Sequence, residues 1–255
     1  PVTAIRMATL NAAECFDLKD RGAIAPGYRG DVVLLDDLKD FHVNRVFVEG
    51  ALVAEEGKYL PEIKKCDISS VKGSVIVKDF SKEKFKMNLK SNKVNVIKIL
   101  PGGVVTAKDT AEIELDANGE FVRNPEVDLV KVAVVERHQG TGNVACGFLK
   151  GYGIKEGAVA LSVAHDSHNI IVVGVNDEEM EFAVNSLIEQ EGGIVLVKEG
   201  KVIESMPMPI AGLMSDQSGE WVDQKLTDIH EKAYEELGIC GDVEPVMTLC
   251  FMSLA

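Results

Sequence analysis

The sequence predicts an α+β fold of mixed α/β character, a short unit over residues 1–60 followed by a longer one over residues 61–255 built on a largely buried sheet. Three observations carry that expectation. Charge-free runs rich in β-branched residues recur at Leu129–Val135, Val159–Val163 and Ile170–Val175, the composition of strands covered on both faces. Only Thr3–Phe16, Glu178–Glu191 and Glu220–Leu237 space their apolar residues along one helical face, so strands outnumber helices. Between the two units Pro61–Ser70 is polar and has little periodicity, as a connector does.

Taken in order, Thr3 stands where it can cap a first helix whose inner face carries Ile5, Leu10, Ala13 and Phe16. Gly22–Asp31 reads as glycine turns around a short strand. Val32–Leu35, Val43–Glu49 and Ala51–Ala54 read as a small β meander. Lys78–Lys93 interleaves lysines with Asp79, Phe80, Glu83 and Phe85, the pattern of a solvated strand or hairpin face. Val94–Leu100 is a strand stopped by Pro101-Gly102-Gly103, and Thr110–Leu115 with Glu120–Arg123 flank Asn118-Gly119 as a hairpin. Cys146–Tyr152 is a short helix or strand. Asp177 is the expected cap of the helix over Glu178–Glu191, which Gly192-Gly193 stops. Ile194–Lys198 and Lys201–Ser205 pair across Glu199-Gly200. The uncharged Met206–Ser215 reads as a buried loop, His230 as a solvated residue of the last long helix, and residues 246–255 as an apolar strand-like run.

At 255 residues, 46% hydrophobic and 27% charged, the chain has the composition of a globular protein with a sizeable core. A formal net charge of −14 argues against a nucleic-acid or anionic-membrane surface, because phosphate binding depends on clustered Lys and Arg. Five cysteines, an odd number without a CxxC pair, fit reduced thiols in the cytoplasm better than a disulfide frame. No charged-then-apolar leader and no apolar run near about 18 residues occurs, so neither secretion nor a membrane span is expected. Both ends look cut, which points to a piece of a larger polypeptide.

The chemistry concentrates where two apolar runs are interrupted by His165-Asp166-Ser167-His168-Asn169. Two imidazoles, a carboxylate and an amide in five residues cost about 1–3 kcal/mol each if buried without partners. On one continuous strand His165 and His168 would point to opposite faces, whereas a turn lets them converge. Two readings stay open. In one, His165 and His168 bind a ligand or carry protons and Asp166 orients a ring; in the other, the cluster is a hydrogen-bonded corner. Glu136-Arg137-His138 end another apolar run and are the second polar group. If the two groups meet, they suffice to bind a polar heterocycle. Gln139-Gly140-Thr141-Gly142-Asn143 lacks the GxxxxGK[ST] pattern and precedes a strand-like run, which argues against phosphate cradling.

Two stretches carry a family resemblance. Ala8-Thr9-Leu10-Asn11-Ala12-Ala13, then Gly22, Ile24, Pro26-Gly27 and Asp31-Val32-Val33-Leu34-Leu35-Asp36, resemble the exit from the barrel of metal-dependent amidohydrolases. In that superfamily the last barrel helix returns to a small β domain, which is what residues 1–60 would then be. Glu136-Arg137-His138, Gly140-Thr141-Gly142-Asn143, Ala164-His165-Asp166-Ser167-His168-Asn169-Ile170 and Pro209-Ile210-Ala211-Gly212-Leu213-Met214-Ser215 strongly resemble the C-terminal domain of bacterial and archaeal adenine deaminases.

The resemblance implies hydrolysis of adenine to hypoxanthine and ammonia by a hydroxide held on a divalent metal, manganese or iron, in a barrel. That family's metal ligands lie outside this sequence, so no metal ligand is expected here and the isolated chain is expected to be inactive. A homo-oligomer, with the barrel half as a further partner, is also expected. Within the family reading, His165, Asp166 and His168 are auxiliary catalytic residues facing the barrel mouth, and Glu136, Arg137, His138 and Asn169 bind substrate. The rival is a non-catalytic assembly or ligand-binding domain whose contact surfaces are Met206–Met214 and Met247–Leu254.

Overall fold

A computed structural model describes residues 1–254, which divide into two compact units, Pro1–Cys66 and a second that begins at Asp67. In the first, α1 (Val2–Arg6), a π-helical turn (Met7–Asn11) and α2 (Ala12–Cys15) form one continuous helical stretch. Its first turn begins at Val2 and no side chain caps it, so Thr3 lies inside the helix and is not the cap expected from the sequence. No strand forms between Gly22 and Asp31; the chain there is held by contacts such as Arg29 N–H to the Asp20 carbonyl at 2.7 Å. β1 (Val32–Leu35), β2 (Val43–Val48), β3 (Ala51–Glu55) and β4 (Lys58–Tyr59) make an antiparallel meander in sequence order. Glu49-Gly50 and Glu56-Gly57 turn it with positive φ at both positions, the twist-compatible two-residue hairpin that glycine makes accessible.

The second unit is organised on an eight-stranded sheet of order β14-β13-β11-β12-β9-β10-β5-β6. Its strands are β5 (Lys93–Ile99), β6 (Thr106–Glu112), β9 (Leu129–Val135), β10 (Val144–Lys150), β11 (Ala158–Leu161), β12 (Ile170–Gly174), β13 (Gly193–Lys198) and β14 (Lys201–Pro207). All neighbours are antiparallel except β10 with β5, so the sheet is mixed. A separate two-stranded ribbon pairs β7 (Glu114–Leu115) with β8 (Phe121–Val122).

Strand alternation divides the buried side chains of the central strands into two large cores, beside a smaller one of Val96, Ile113, Leu129 and Phe148. On one face Val159, Leu161, Ile171, Val173, Ile194 and Leu196 pack with Ile229 and Ala233 of α4 (Gly219–Glu235) and Leu249 of α5 (Pro245–Phe251). On the other, Ala160, Ile170, Val172, Val195 and Val197 pack with Met180, Ala183, Val184 and Leu187 of α3 (Asp177–Glu189). Helices on both faces explain why these strands read as unbroken apolar runs. Among the described residues no helix is long and apolar enough to cross a membrane.

The structure departs from the sequence expectations at several elements. Lys78–Lys93 forms no strand except its last residue, where β5 begins; it contains a 3-10 turn at Lys82–Phe85 that drives Phe85 fully into the core. The Asn118-Gly119 hairpin joins only β7 and β8, while Thr110 belongs to β6, which starts earlier at Thr106. Cys146–Tyr152 resolves as strand, as β10 ends just before Gly151. Asn176, not Asp177, caps α3, because its side chain lies outside the first turn and accepts the Glu179 N–H at 2.8 Å. β14 extends to Pro207, and Met214 in the segment that follows is 59% exposed, so Met206–Ser215 is only partly a buried loop. Residues 245–251 form helix α5 instead of a strand: Pro245 stands at its first turn, and Glu244 caps it.

Candidate functional site

The register of the sheet brings the two polar groups together. Val135 at the end of β9 pairs with Val144 and with Ile170 at the start of β12, while Leu161 at the end of β11 pairs with Ile171 and Ile194. Glu136-Arg137-His138 and the turn of residues 162–169 therefore leave the same end of the sheet. Strand termini are where a sheet releases side chains from packing.

Arg137 is 1% exposed, and no carboxylate pairs with it among the described residues. Its Nε donates to the His168 carbonyl at 2.5 Å, one terminal nitrogen to the Ala211 carbonyl at 3.1 Å and the other to the Ser74 carbonyl at 3.5 Å. One guanidinium thus staples three separate segments, and burial lowers its pKa. A Cβ at Gly212 would lie 2.7 Å from this guanidinium, so glycine is what lets the backbone approach it. Asn169 supports the same residue, its Oδ1 accepting the Arg137 N–H at 3.3 Å.

Glu136 is spent on its own loop. Oε1 accepts the N–H of His138 at 2.6 Å and of Gln139 at 2.7 Å; Oε2 accepts the Thr141 N–H at 2.9 Å and hydroxyl at 3.0 Å. Four donors fill the lone-pair positions of the carboxylate, and they hold its pKa down at about 2, the Thr141 N–H contributing most. The glycine-rich stretch is therefore a carboxylate-closed loop. His138 is exposed, and its Nε2 meets the Ser167 carbonyl at 2.7 Å. Because a carbonyl only accepts, that nitrogen carries the proton.

Within the turn, the His168 N–H donates to the Ala164 carbonyl at 2.6 Å, and His168 adopts a left-handed φ of 51°. Its Nδ1 is buried with no hydrogen-bond partner among the described residues. His165 is about half exposed, and its Nδ1 contacts the Asp166 carboxylate. That pairing fixes Nδ1 as the donor and leaves Nε2 as the nitrogen available for proton exchange. Glu136 and Arg137 thus sit in the scaffold beneath the turn, whereas His138, His165, Asp166 and Ser167 are exposed at its surface.

Other supports of the turn lack any recognisable motif. Ser162, fully buried, donates to the Gly212 carbonyl at 2.5 Å and accepts the Gly193 N–H at 2.7 Å. Cys250, Phe251 and Ser253 grip His165 from α5 and the turn after it. Their sequence signal is an apolar run, which periodicity assigns as easily to a strand. His230 is half-buried, with Nε2 2.5 Å from Oε1 of Glu244, and is not merely solvated.

Among the described residues no group of three or more His, Cys, Asp or Glu side chains is placed to hold a metal ion.

Comparison with known proteins places this geometry in a family. Residues 103–255 match the family described as adenine deaminase C-terminal domain, and residues 1–53 match the amidohydrolase family. The chain is 64% identical, over its full length, to adenine deaminase 2 of Desulfotalea psychrophila, of which it covers 44%. It is 48% identical to adenine deaminase of Ligilactobacillus salivarius and 47% identical to that of Desulfatibacillum aliphaticivorans, again covering 44% of each. The chain thus spans less than half the length of the curated relatives it matches. With more than half of its residues, including the whole polar sheet end, inside the first of these matches, the chain belongs to the adenine deaminase C-terminal domain family.

Proposed function

We propose that the chain is the C-terminal part of an adenine deaminase, a hydrolase that converts adenine and water to hypoxanthine and ammonia, and that its polar sheet end covers the substrate. The observation that carries this reading is the His165–Asp166 pair, exposed at a sheet end with one imidazole nitrogen committed and the other free. In this role His165 Nε2 exchanges a proton with the purine or its leaving amino group, Asp166 sets the tautomer, and His168 offers a second ring. Asn169 and His138 border the substrate. Glu136 and Arg137, whose polar atoms are engaged, hold the loop and turn in place.

Residues 1–60 act in this reading as the last barrel helix and the returning β segment, and residues 61–255 as the appended domain. An open apolar groove of about 900 Å³ along α1, α2 and β1, lined by Ile5, Ala8, Phe16, Leu18, Ile24 and Val33, supports a covering by the remainder of the polypeptide. That remainder would also hold the divalent metal, manganese or iron. Assembly as a homo-oligomer in the cytoplasm completes the proposal.

In the full-length enzyme, H165A and H168A are expected to lower kcat for ammonia release from adenine at unchanged thermal stability. The 255-residue chain alone is expected to release none, even with manganese added. Normal kcat with lowered stability in both variants would count against catalysis and for a scaffold. A second reading, an assembly domain, is favoured by the exposed Met214, Met247 and Leu254, at 59%, 58% and 57%. Light scattering with and without a purine separates the two.

A further inference from the structure

We infer that α5 is the positioning element of His165, with Phe251 as the residue that sets the plane of its imidazole; this rests on the proposal that His165 is catalytic. The turn of residues 162–169 projects from two strand ends; its own contacts fix the backbone of His168 and hold Nδ1 of His165 through Asp166, but nothing within the turn sets the plane of the His165 ring. Three groups from one short stretch supply what is missing. The His165 N–H donates to the Cys250 carbonyl at 2.8 Å, and the Ser253 hydroxyl donates to the His165 carbonyl at 2.7 Å. The imidazole stacks on the Phe251 ring at 5.0 Å between centroids and 15° between planes. With Nδ1 held by Asp166 and one ring face covered by Phe251, Nε2 is left with one direction.

α5 can serve as a fixed arm because it is tied down away from the site. The Tyr152 hydroxyl donates to the Pro245 carbonyl at 2.7 Å, and the Tyr234 hydroxyl donates to the Val243 carbonyl at 3.1 Å. Glu244 caps the helix and binds His230 of α4. Tyr152 follows the end of β10, so these anchors lie at the end of the sheet remote from His165. Leu249 and Met252, both buried, fix the rotation of the helix. A side chain this exposed samples several rotamers unless a neighbour holds it, and holding it before substrate arrives lowers the barrier without changing ground-state affinity.

The test has two arms. In the full-length enzyme with selectively labelled histidine and phenylalanine rings, NOEs are expected between the ring protons of His165 and Phe251, together with an upfield ring-current shift of the His165 ring signals that F251L abolishes. In the full-length enzyme, F251L is expected to lower kcat about 3–10-fold while KM moves less than about two-fold, and F251Y, which keeps a flat ring, to retain most of kcat. Absence of the NOEs overturns the assignment, as does an unchanged kcat in F251L where H165A lowers it. If H165A itself leaves kcat unchanged, the catalytic proposal for His165 falls, and the NOEs, which need no substitution, still decide whether α5 holds the ring.

Discussion

Replacing Arg137 with methionine isolates what the buried guanidinium does. The side chain fills similar space, so the main change is the loss of donors to the carbonyls of His168 at 2.5 Å, Ala211 at 3.1 Å and Ser74 at 3.5 Å. Two of these are good hydrogen bonds and the third is at the limit of one. A stranded buried acceptor costs about 1–3 kcal/mol, which gives about 2–6 kcal/mol for the two. Removing a desolvated charge that no carboxylate balances offsets part of this, so the expected net loss is about 2–4 kcal/mol. With a urea dependence near 2 kcal/mol per molar, the midpoint should fall by about 1–2 M at unchanged slope. Trp221, the only tryptophan, lies on α4 and packs against the core, so its fluorescence reports this unit directly. R137K, which keeps the charge but lacks the planar fork, should fall between the two. A loss below about 0.5 kcal/mol in R137M would refute the claim that one guanidinium joins three segments.

Further outcomes follow from the same contacts. Glu136 has a folded pKa depressed to about 2, so the stability it contributes is present above its unfolded pKa of about 4.3 and is lost as pH falls toward 2. Acid titration of E136Q should therefore be flatter than that of the parent between about pH 5 and 2, and parallel curves would refute it. At Gly193, where φ is 112° and a Cβ would lie 2.0 Å from the Met206 carbonyl oxygen, G193A should prevent native pairing of β13 with β14; native-like near-UV circular dichroism in that variant would count against this. Burial pushes the thiols of Cys146 and Cys250 up to about 11, whereas Cys15, Cys66 and Cys240 are exposed. Iodoacetamide at pH 8 should thus label three cysteines quickly and two slowly, as read by mass spectrometry.

How much was legible in sequence depended on how local the cause was. β9, β11, β12 and α3 appear in the sequence within a residue or two because a strand covered on both faces has to be apolar throughout, and an amphipathic helix has to repeat near 3.6. Lys78–Lys93 misled because alternating charge resembles a solvated strand, while the decisive event is the burial of Phe80 and Phe85 against a distant face. Residues 246–254 misled for a related reason: an uncharged run is compatible with strand or helix, and packing against β12 chose helix.

The sequence by itself determined which polar residues stand at strand ends, the net negative surface and the family, since each depends on residue identity and order along the chain. Tertiary structure alone decided what those residues do to one another. The partners of Glu136 and Arg137 are a loop that follows them and three carbonyls 31 to 74 residues away, and nothing in the order of residues names them. The grip of α5 on His165 spans more than 80 residues of sequence. Such contacts are set by sheet register and helix docking, which sum many weak apolar interactions over the whole unit and leave no short-range mark in the chain.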